Sequence, residues 1–396
     1  MNKNVPKLRF KEFSDEWKVE ELGNLLIKST EVTKENTTIP VLTSSRKGLF
    51  LQNEYFNKEI AAKDTTGYNI LRKGYFTYRH MSDDSVFYFN LNNIIEIGLV
   101  SPEYPVFTVK EDLNSYFLKE HLNSSFEFSK FCKMQKKGGT RTRLYFKVLE
   151  TYKFNIPTIQ EQERIANFFT VLDNLIEEQE AKVNDLELYK KGMMQQIFKQ
   201  KIRFKDENGQ DYLAWKEIKL KEILKERKLF SEKNKEYPHV TLSKEGIYEK
   251  GERYNRDFLV RTEDKKYKIT LKNDICYNPA NLKFGVICRN NYGKAIFSPI
   301  YITFEVLGCN NEFIEYFVCR TDFINRVRKY EEGTVYERTA VKPEDFLRFS
   351  VDLPCLEEQT KIANFLSNID NLIEEEQKNL NDLKEMKKGL LQQMFV

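Results

Sequence analysis

PTIQEQERIANFFTVLDNLIEEQEAKVNDLELYKKGMMQQIF (157–198) and PCLEEQTKIANFLSNIDNLIEEEQKNLNDLKEMKKGLLQQMF (354–395) are one passage written twice. Aligned without gaps, 22 of the 42 positions are identical, where chance would give about two or three. Fainter matches extend the duplication outward. Arg9-Phe10-Lys11 with Trp17-Lys18 returns as Arg203-Phe204-Lys205 with Trp215-Lys216. IPVLTSSRKGLF (39–50) aligns with YPHVTLSKEGIY (237–248), Ser101-Pro102 with Ser298-Pro299, and Gly139-Thr140 with Gly333-Thr334. A repeat this long is a duplicated domain, not a solenoid. The chain therefore reads as a variable globular part (1–156), a well-kept helix (157–200), a second variable part (201–353) and a second helix (354–396).

Each kept segment carries a heptad seam. In the first it runs Ile165, Phe169, Leu172, Ile176, Gln179, Val183, Leu186, Lys190, Met193 and Ile197. In the second it runs Ile362, Leu366, Ile369, Ile373, Glu376, Leu380, Leu383, Lys387, Leu390 and Met394. Pro157 and Pro354 stand where proline fits a helix start, and acids crowd both first turns. Each helix should run about 40 residues, or ~60 Å. Two such helices in one chain can pair with each other, which gives an approximate twofold axis. Asp173-Asn174 and Asp370-Asn371 are shared by the repeats and lie off the seam, so they are expected on an outer face as a docking surface.

With 396 residues, 40% hydrophobic and 31% charged, the chain suits two cores and is not disordered. No apolar run reaches membrane length, and MNKNVPKLRF lacks the apolar core of a signal peptide, so a cytoplasmic protein is expected. The six cysteines form no C-x-x-C pair and read as reduced buried thiols rather than zinc ligands. Formal net charge is +4, which permits nucleic-acid binding without requiring it.

Both variable parts read as α+β. Tyr75–Tyr78, Val86–Phe89 and Ala295–Phe297 read as strands, and residues 117–135 and 312–330 as helices. Basic residues gather in the expected loops. The candidates for DNA contact are Arg46, Lys47, Arg79, Lys136, Lys137, Arg141 and Arg143 in the first half, and Lys244, Arg253, Arg289 and Arg338 in the second. KKGGTRTR (136–143) and EEGTVYERT (331–339) combine glycine with arginine, which suits backbone and guanidinium approach to phosphates or guanine edges. The chain has neither a phosphate-binding G-x-x-x-x-G-K-[ST] loop nor a G-x-G-x-x-G loop. Its three histidines form no base–nucleophile set, and Asn278-Pro279-Ala280 lacks the rest of an amino-methyltransferase motif and reads as a strand-ending turn. No catalytic residue and no metal site is assigned.

This pattern resembles the specificity subunit of type I restriction-modification enzymes: two variable parts alternate with two long helices, each introduced by P-x-x-x-E-Q-x-x-I-A (157–166, 354–363). The resemblance spans essentially the whole chain. It implies two target-recognition domains, each reading one half of a split double-stranded DNA sequence, and an antiparallel coiled coil with pseudo-twofold symmetry. It also implies docking of two modification subunits that use S-adenosylmethionine to methylate adenine, and of restriction subunits that use ATP and Mg. The chain itself would bind no cofactor. A ~60 Å coil matches roughly 18 base pairs at ~3.4 Å each. The competing readings are an enzyme in its own right, a coiled-coil scaffold with no DNA role, and a DNA-binding protein without such partners.

Overall fold

The computed structural model describes residues 5–55, 64–138, 140–231, 237–250, 266–330 and 340–395. The long helices span Ile159–Phe198 and Leu356–Met394. The chain divides into two units, Met1–Lys182 with Glu376–Val396, and Val183–Glu375. Both long helices cross this division. Each unit therefore holds one globular part, the start of the helix that follows it and the end of the other helix.

In the first unit a four-stranded antiparallel sheet has the order Leu26–Lys28, Val106–Val109, Phe76–Tyr78, Phe89–Leu91. Its register sets Phe76 on Phe107 (5.0 Å between ring centroids) and Tyr78 on Phe89 (4.5 Å). Helices Ser115–Ser124 and Phe126–Met134 share its core through Phe117, Leu118, Leu122 and Phe128. The single helix expected over 117–135 is thus two. Ser125 is extended (φ −67°, ψ 128°) and its hydroxyl accepts from the Phe128 amide, so it caps a new start. The strand expected at Val86–Phe89 begins only at Phe89. Ser85 is left-handed (φ 64°) and the Val86 amide donates to Ser82 Oγ, so the preceding turn lasts longer.

The second unit repeats this order with Leu224–Glu226, Ile302–Val306, Ile275–Tyr277 and Ile287–Arg289. Ala295–Phe297 is a strand, as expected. The helix expected over 312–330 is again two, Asn311–Val318 and Thr321–Val327. Arg320 between them is extended (φ −65°, ψ 136°), and its guanidinium lies over the rings of Phe198 and Phe317. The six cysteines are buried (Cys132, Cys276, Cys288) or half-buried (Cys309, Cys319, Cys355), and burial pushes the Cys288 thiol up to about 12.

The P-x-x-x-E-Q motif fastens each long helix to its own globular part. Gln162 donates to the Pro157 carbonyl (3.0 Å) and accepts from the Asn114 amide (2.8 Å); Gln359 does the same with Pro354 (2.9 Å) and Asn310 (2.8 Å). Glu161 takes both Nε and Nη2 of Arg9 at 2.7 Å, and Glu358 takes Arg203 at 3.0 and 2.7 Å. The fainter repeat at Arg9 and Arg203 is therefore the other half of the same clasp.

Every seam residue is buried or half-buried, and the helix segments within each unit run antiparallel. In the first unit Gln179 donates to the Glu376 carbonyl (2.9 Å) and carboxylate (2.6 Å), and the seam lysine Lys387 meets Asp173 (2.6 Å) and Glu120 (3.1 Å). In the second unit Lys190 pairs with Asp370. This corrects the expectation that the seam makes no use of the two aspartates. Asp173 and Asp370 belong to the helix pairing, and each also accepts a tyrosine hydroxyl, from Tyr116 and Tyr316. Only Asn174 and Asn371 remain exposed.

Candidate nucleic-acid interface

The matched stretches around Ser45 and Ser243 are β-hairpins, Leu42–Ser45 with Gly48–Leu51 and Val240–Ser243 with Gly246–Glu249. Two residues form each tip: Arg46-Lys47 in the first unit and Lys244-Glu245 in the second. Gly48 and Gly246 both stand at φ 127°, where a Cβ would be strained. Ser45 Oγ accepts from the Lys47 amide, and Ser243 Oγ from the Glu245 amide, at 3.1 Å. The serine and glycine thus fix the tips, while the two residues between them differ.

The glycine–arginine loop is tied to the third strand of the sheet. Leu144 donates its amide to the His80 carbonyl (2.8 Å), and its carbonyl accepts from Tyr78 Oη (2.9 Å). Val341 repeats both bonds with Pro279 (3.2 Å) and Tyr277 Oη (3.2 Å). Arg141 stands three residues before Leu144, and Arg338 three before Val341. Arg253, Arg338, Gly139 and the stretch 331–339 lie outside the described residues. Asn278-Pro279 ends the strand Ile275–Tyr277 in a turn, with the Asn278 side chain accepting from the Ala280 amide at 3.1 Å.

The structure gathers some of the first half's candidates. Arg46 from the hairpin and Arg141 from the glycine loop both reach the turn after Met81–Ser82, Arg46 on Asp84 (2.8 and 2.5 Å) and Arg141 on Asp83 (2.9 Å). The Arg46 guanidinium, and then Ser82 Oγ, hold the Asp84 carboxyl well below the usual carboxylate range. Lys47, Arg79, Lys136, Lys137 and Arg143 are exposed. Arg143 lines a cleft of about 1050 Å³ with Lys28, His80, Tyr145 and Lys147. His80 and Tyr145 stack there with ring centroids 5.4 Å apart. Lys28 and Lys147 lie far apart in sequence on ordinary elements, so no local pattern marks them.

In the second unit Lys244 lines a cleft of about 990 Å³ with Tyr248, Lys283, Phe284 and Tyr292. The basic, aromatic Lys283-Phe284 pair, which no sequence motif singled out, lies in the short helical turn Leu282–Phe284 before Gly285, whose φ is 79°. Arg289 is a correction. It ends the strand Ile287–Arg289 and is held by Glu315 (3.0 Å), Glu312 (2.8 Å) and Asn273 (2.9 Å), with 13% of its side chain exposed. It clasps the helix Asn311–Val318 to the sheet, its guanidinium bonded within the fold. Among the described residues no cluster of three His, Cys, Asp or Glu could hold a metal ion, and no helix is long and apolar enough to cross a membrane.

Two units that share a four-stranded sheet order and a two-stranded hairpin, each with basic and aromatic residues at its surface, make a duplicated domain. The family model described as the type I restriction modification DNA specificity domain matches residues 14–188 and 212–385, and the chain belongs to this family. It is similar to the type I restriction enzyme MjaVIII specificity subunit of Methanocaldococcus jannaschii, with 26% identity over 286 residues; the match covers 66% of this chain and 65% of that one. With the putative MjaX specificity subunit of the same organism identity is 23%, over 98% and 95% of the two chains. Its fold is similar to that of the type I restriction-modification S subunit from M. genitalium, with TM-score 0.56, 16% identity and 99% of both chains covered. A chain from a structure addressing complex assembly and conformational transition of the type I R-M system gives TM-score 0.52 at 14% identity, covering 95% and 96%.

Proposed function

We propose that this chain reads an asymmetric, bipartite double-stranded DNA target, one half-site per globular part, and positions modification and restriction subunits on it. The observation that carries the proposal is the pairing of matching hairpin frames with different tips: Arg46-Lys47, with Arg46 on Asp84, in one unit, and Lys244-Glu245 beside Lys283-Phe284 in the other. Different side chains on one frame read different base edges, so the half-sites differ. The chain is non-catalytic in this reading and acts in the cytoplasm. S-adenosylmethionine serves two adenine-methylating modification subunits, and ATP and Mg serve the restriction subunits.

The test is a domain exchange. Residues 201–345 are replaced by the corresponding part of a relative, and methylated adenines are mapped across the genome of cells carrying the assembled complex. One half-site should change and the other persist, because base contacts are local and each contributes about 1–3 kcal/mol of discrimination. A change in both half-sites together would replace two readers with one composite surface.

A further inference from the structure

The first unit holds four charges where its hairpin and glycine loop meet: Arg46, Arg141, Asp83 and Asp84. The aspartates stand on a braced turn. Met81–Ser82 pairs with Thr142–Arg143, Ser85 Oγ meets Thr142 Oγ1 at 2.7 Å in the interior, and Asp84 accepts from Ser82 Oγ (2.8 Å) and the Val86 amide (3.2 Å). Asp84 grips both terminal nitrogens of Arg46, whereas Asp83 takes Arg141 through Nε alone. That bond leaves the Nη1–Nη2 edge of Arg141 out of the ion pair, and this edge suits guanine O6 and N7. All four side chains are at least half exposed, so a duplex can reach them. Their charges sum to zero. In the second unit the corresponding stretch, Asn281–Gly285, contains no acid; Lys283 stands in it, and the Lys244 side chain reaches Gly285.

Bare arginines bind any phosphate and release counterions, whatever the sequence. Arginines already paired gain little from a phosphate, and the neighbouring carboxylates repel it. A base edge presenting two acceptors at fixed positions is the better partner for a guanidinium held in one pose. We infer that Asp83 is a specificity-determining positioning residue that aims the open Nη1–Nη2 edge of Arg141 at a guanine edge, while Asp84 occupies that edge of Arg46, and that the two aspartates withhold both arginines from phosphates. This rests on the first globular part reading DNA.

The full chain is first used to select duplexes from a random pool. Wild type, D83N, D84N and the double variant are then titrated with a selected duplex and a scrambled one across a range of salt concentrations. The double variant should bind the scrambled duplex about 10-fold tighter at low salt. Its log–log salt slope should steepen by up to about 2, at ~0.9 per phosphate gained. Its preference for the selected duplex should fall, and Asp84→Glu should restore part of it. Asp83 is 71% exposed, so D83N keeps the test valid even if the Asp84 variants misfold. Unchanged slope and preference in D83N and in a folded D84N would overturn the inference while leaving DNA reading intact. A wild type that selects no sequence at all would overturn that reading, and this inference with it.

Discussion

Glu161 and Glu358 show how a single buried carboxylate can decide where a helix begins. Each is essentially inaccessible, and each faces one arginine from the chain's start or its internal repeat. Removing the arginine leaves an unpaired charge in the interior, which costs about 3–5 kcal/mol. The two sites differ in how the glutamate is otherwise held; the further bond of Arg203 to the exposed Leu213 carbonyl (2.8 Å) adds little. Trp215 Nε1 donates to Glu358 at 3.0 Å, whereas Trp17 Nε1 is buried without a partner. Arg9→Ala should therefore destabilise the first unit more than Arg203→Ala destabilises the second, by about 1 kcal/mol, the worth of the remaining hydrogen bond. Chemical denaturation of the two variants checks this, and equal losses would contradict it. The glutamates were legible as part of a repeated motif. Their arginine partners were not, because the pairs span 152 and 155 residues.

At the scale of elements, the long helices are registered by charge as well as by apolar packing. Lys387 sits in the seam between Asp173 and Glu120, and nearby carboxylates raise its pKa against the opposing effect of burial. Lys387→Met should cost about 2 kcal/mol, since the two acids then lose their seam cation and keep only the partial screening of Lys119, 3.1 Å from Glu120 and 3.9 Å from Asp173. Adding Glu120→Gln should recover much of the loss, because the remaining Asp173 still accepts from Tyr116. Thermal unfolding of the single and double variants measures this, and no recovery would assign the loss to packing alone. The heptad spacing was enough to place Lys190 and Lys387 in the seam. Spacing could not say that Asp370 and Asp173 turn toward them, because both aspartates lie at seam-flanking positions that serve equally well in water.

At the scale of the molecule, each long helix ends in the other half's core. Phe198 packs against Phe313 (5.5 Å) and Phe317 (6.0 Å) of the second globular part, and Phe395 packs against Phe117 (5.1 Å) of the first. The duplicated Gln-Gln-x-Phe ending is thus a plug, and each unit is incomplete without the helix that starts in the other globular part. Phe198→Ala should cost the second unit about 3–5 kcal/mol and spare the first. Limited proteolysis with mass spectrometry would show cleavage rising only in the second unit; a rise in both would make the fold one cooperative block. Docking also belongs to this scale. Asn174-Leu175 and Asn371-Leu372 are repeated and exposed, with Leu175 and Leu372 at 47% and 48%. Changing these four residues to lysine should abolish co-purification with modification subunits while circular dichroism keeps its helix content. Intact assembly would move the docking surface elsewhere.

The sequence by itself determined the duplication, the two long helices and their seam, because heptad periodicity and self-similarity are written at short range or in plain copies. It also matched Ser45-x-x-Gly48 with Ser243-x-x-Gly246, but that both are hairpin tips with glycine at φ 127° came from the structure. Only the tertiary structure decided which charges serve the fold and which face solvent. Arg289 reads like Arg141 along the chain, yet strand pairing brings it to Glu312 and Glu315, while Arg141 stays half exposed on Asp83. A charged side chain's role is set by the neighbours that folding brings within a few ångströms, and those neighbours are scattered along the sequence.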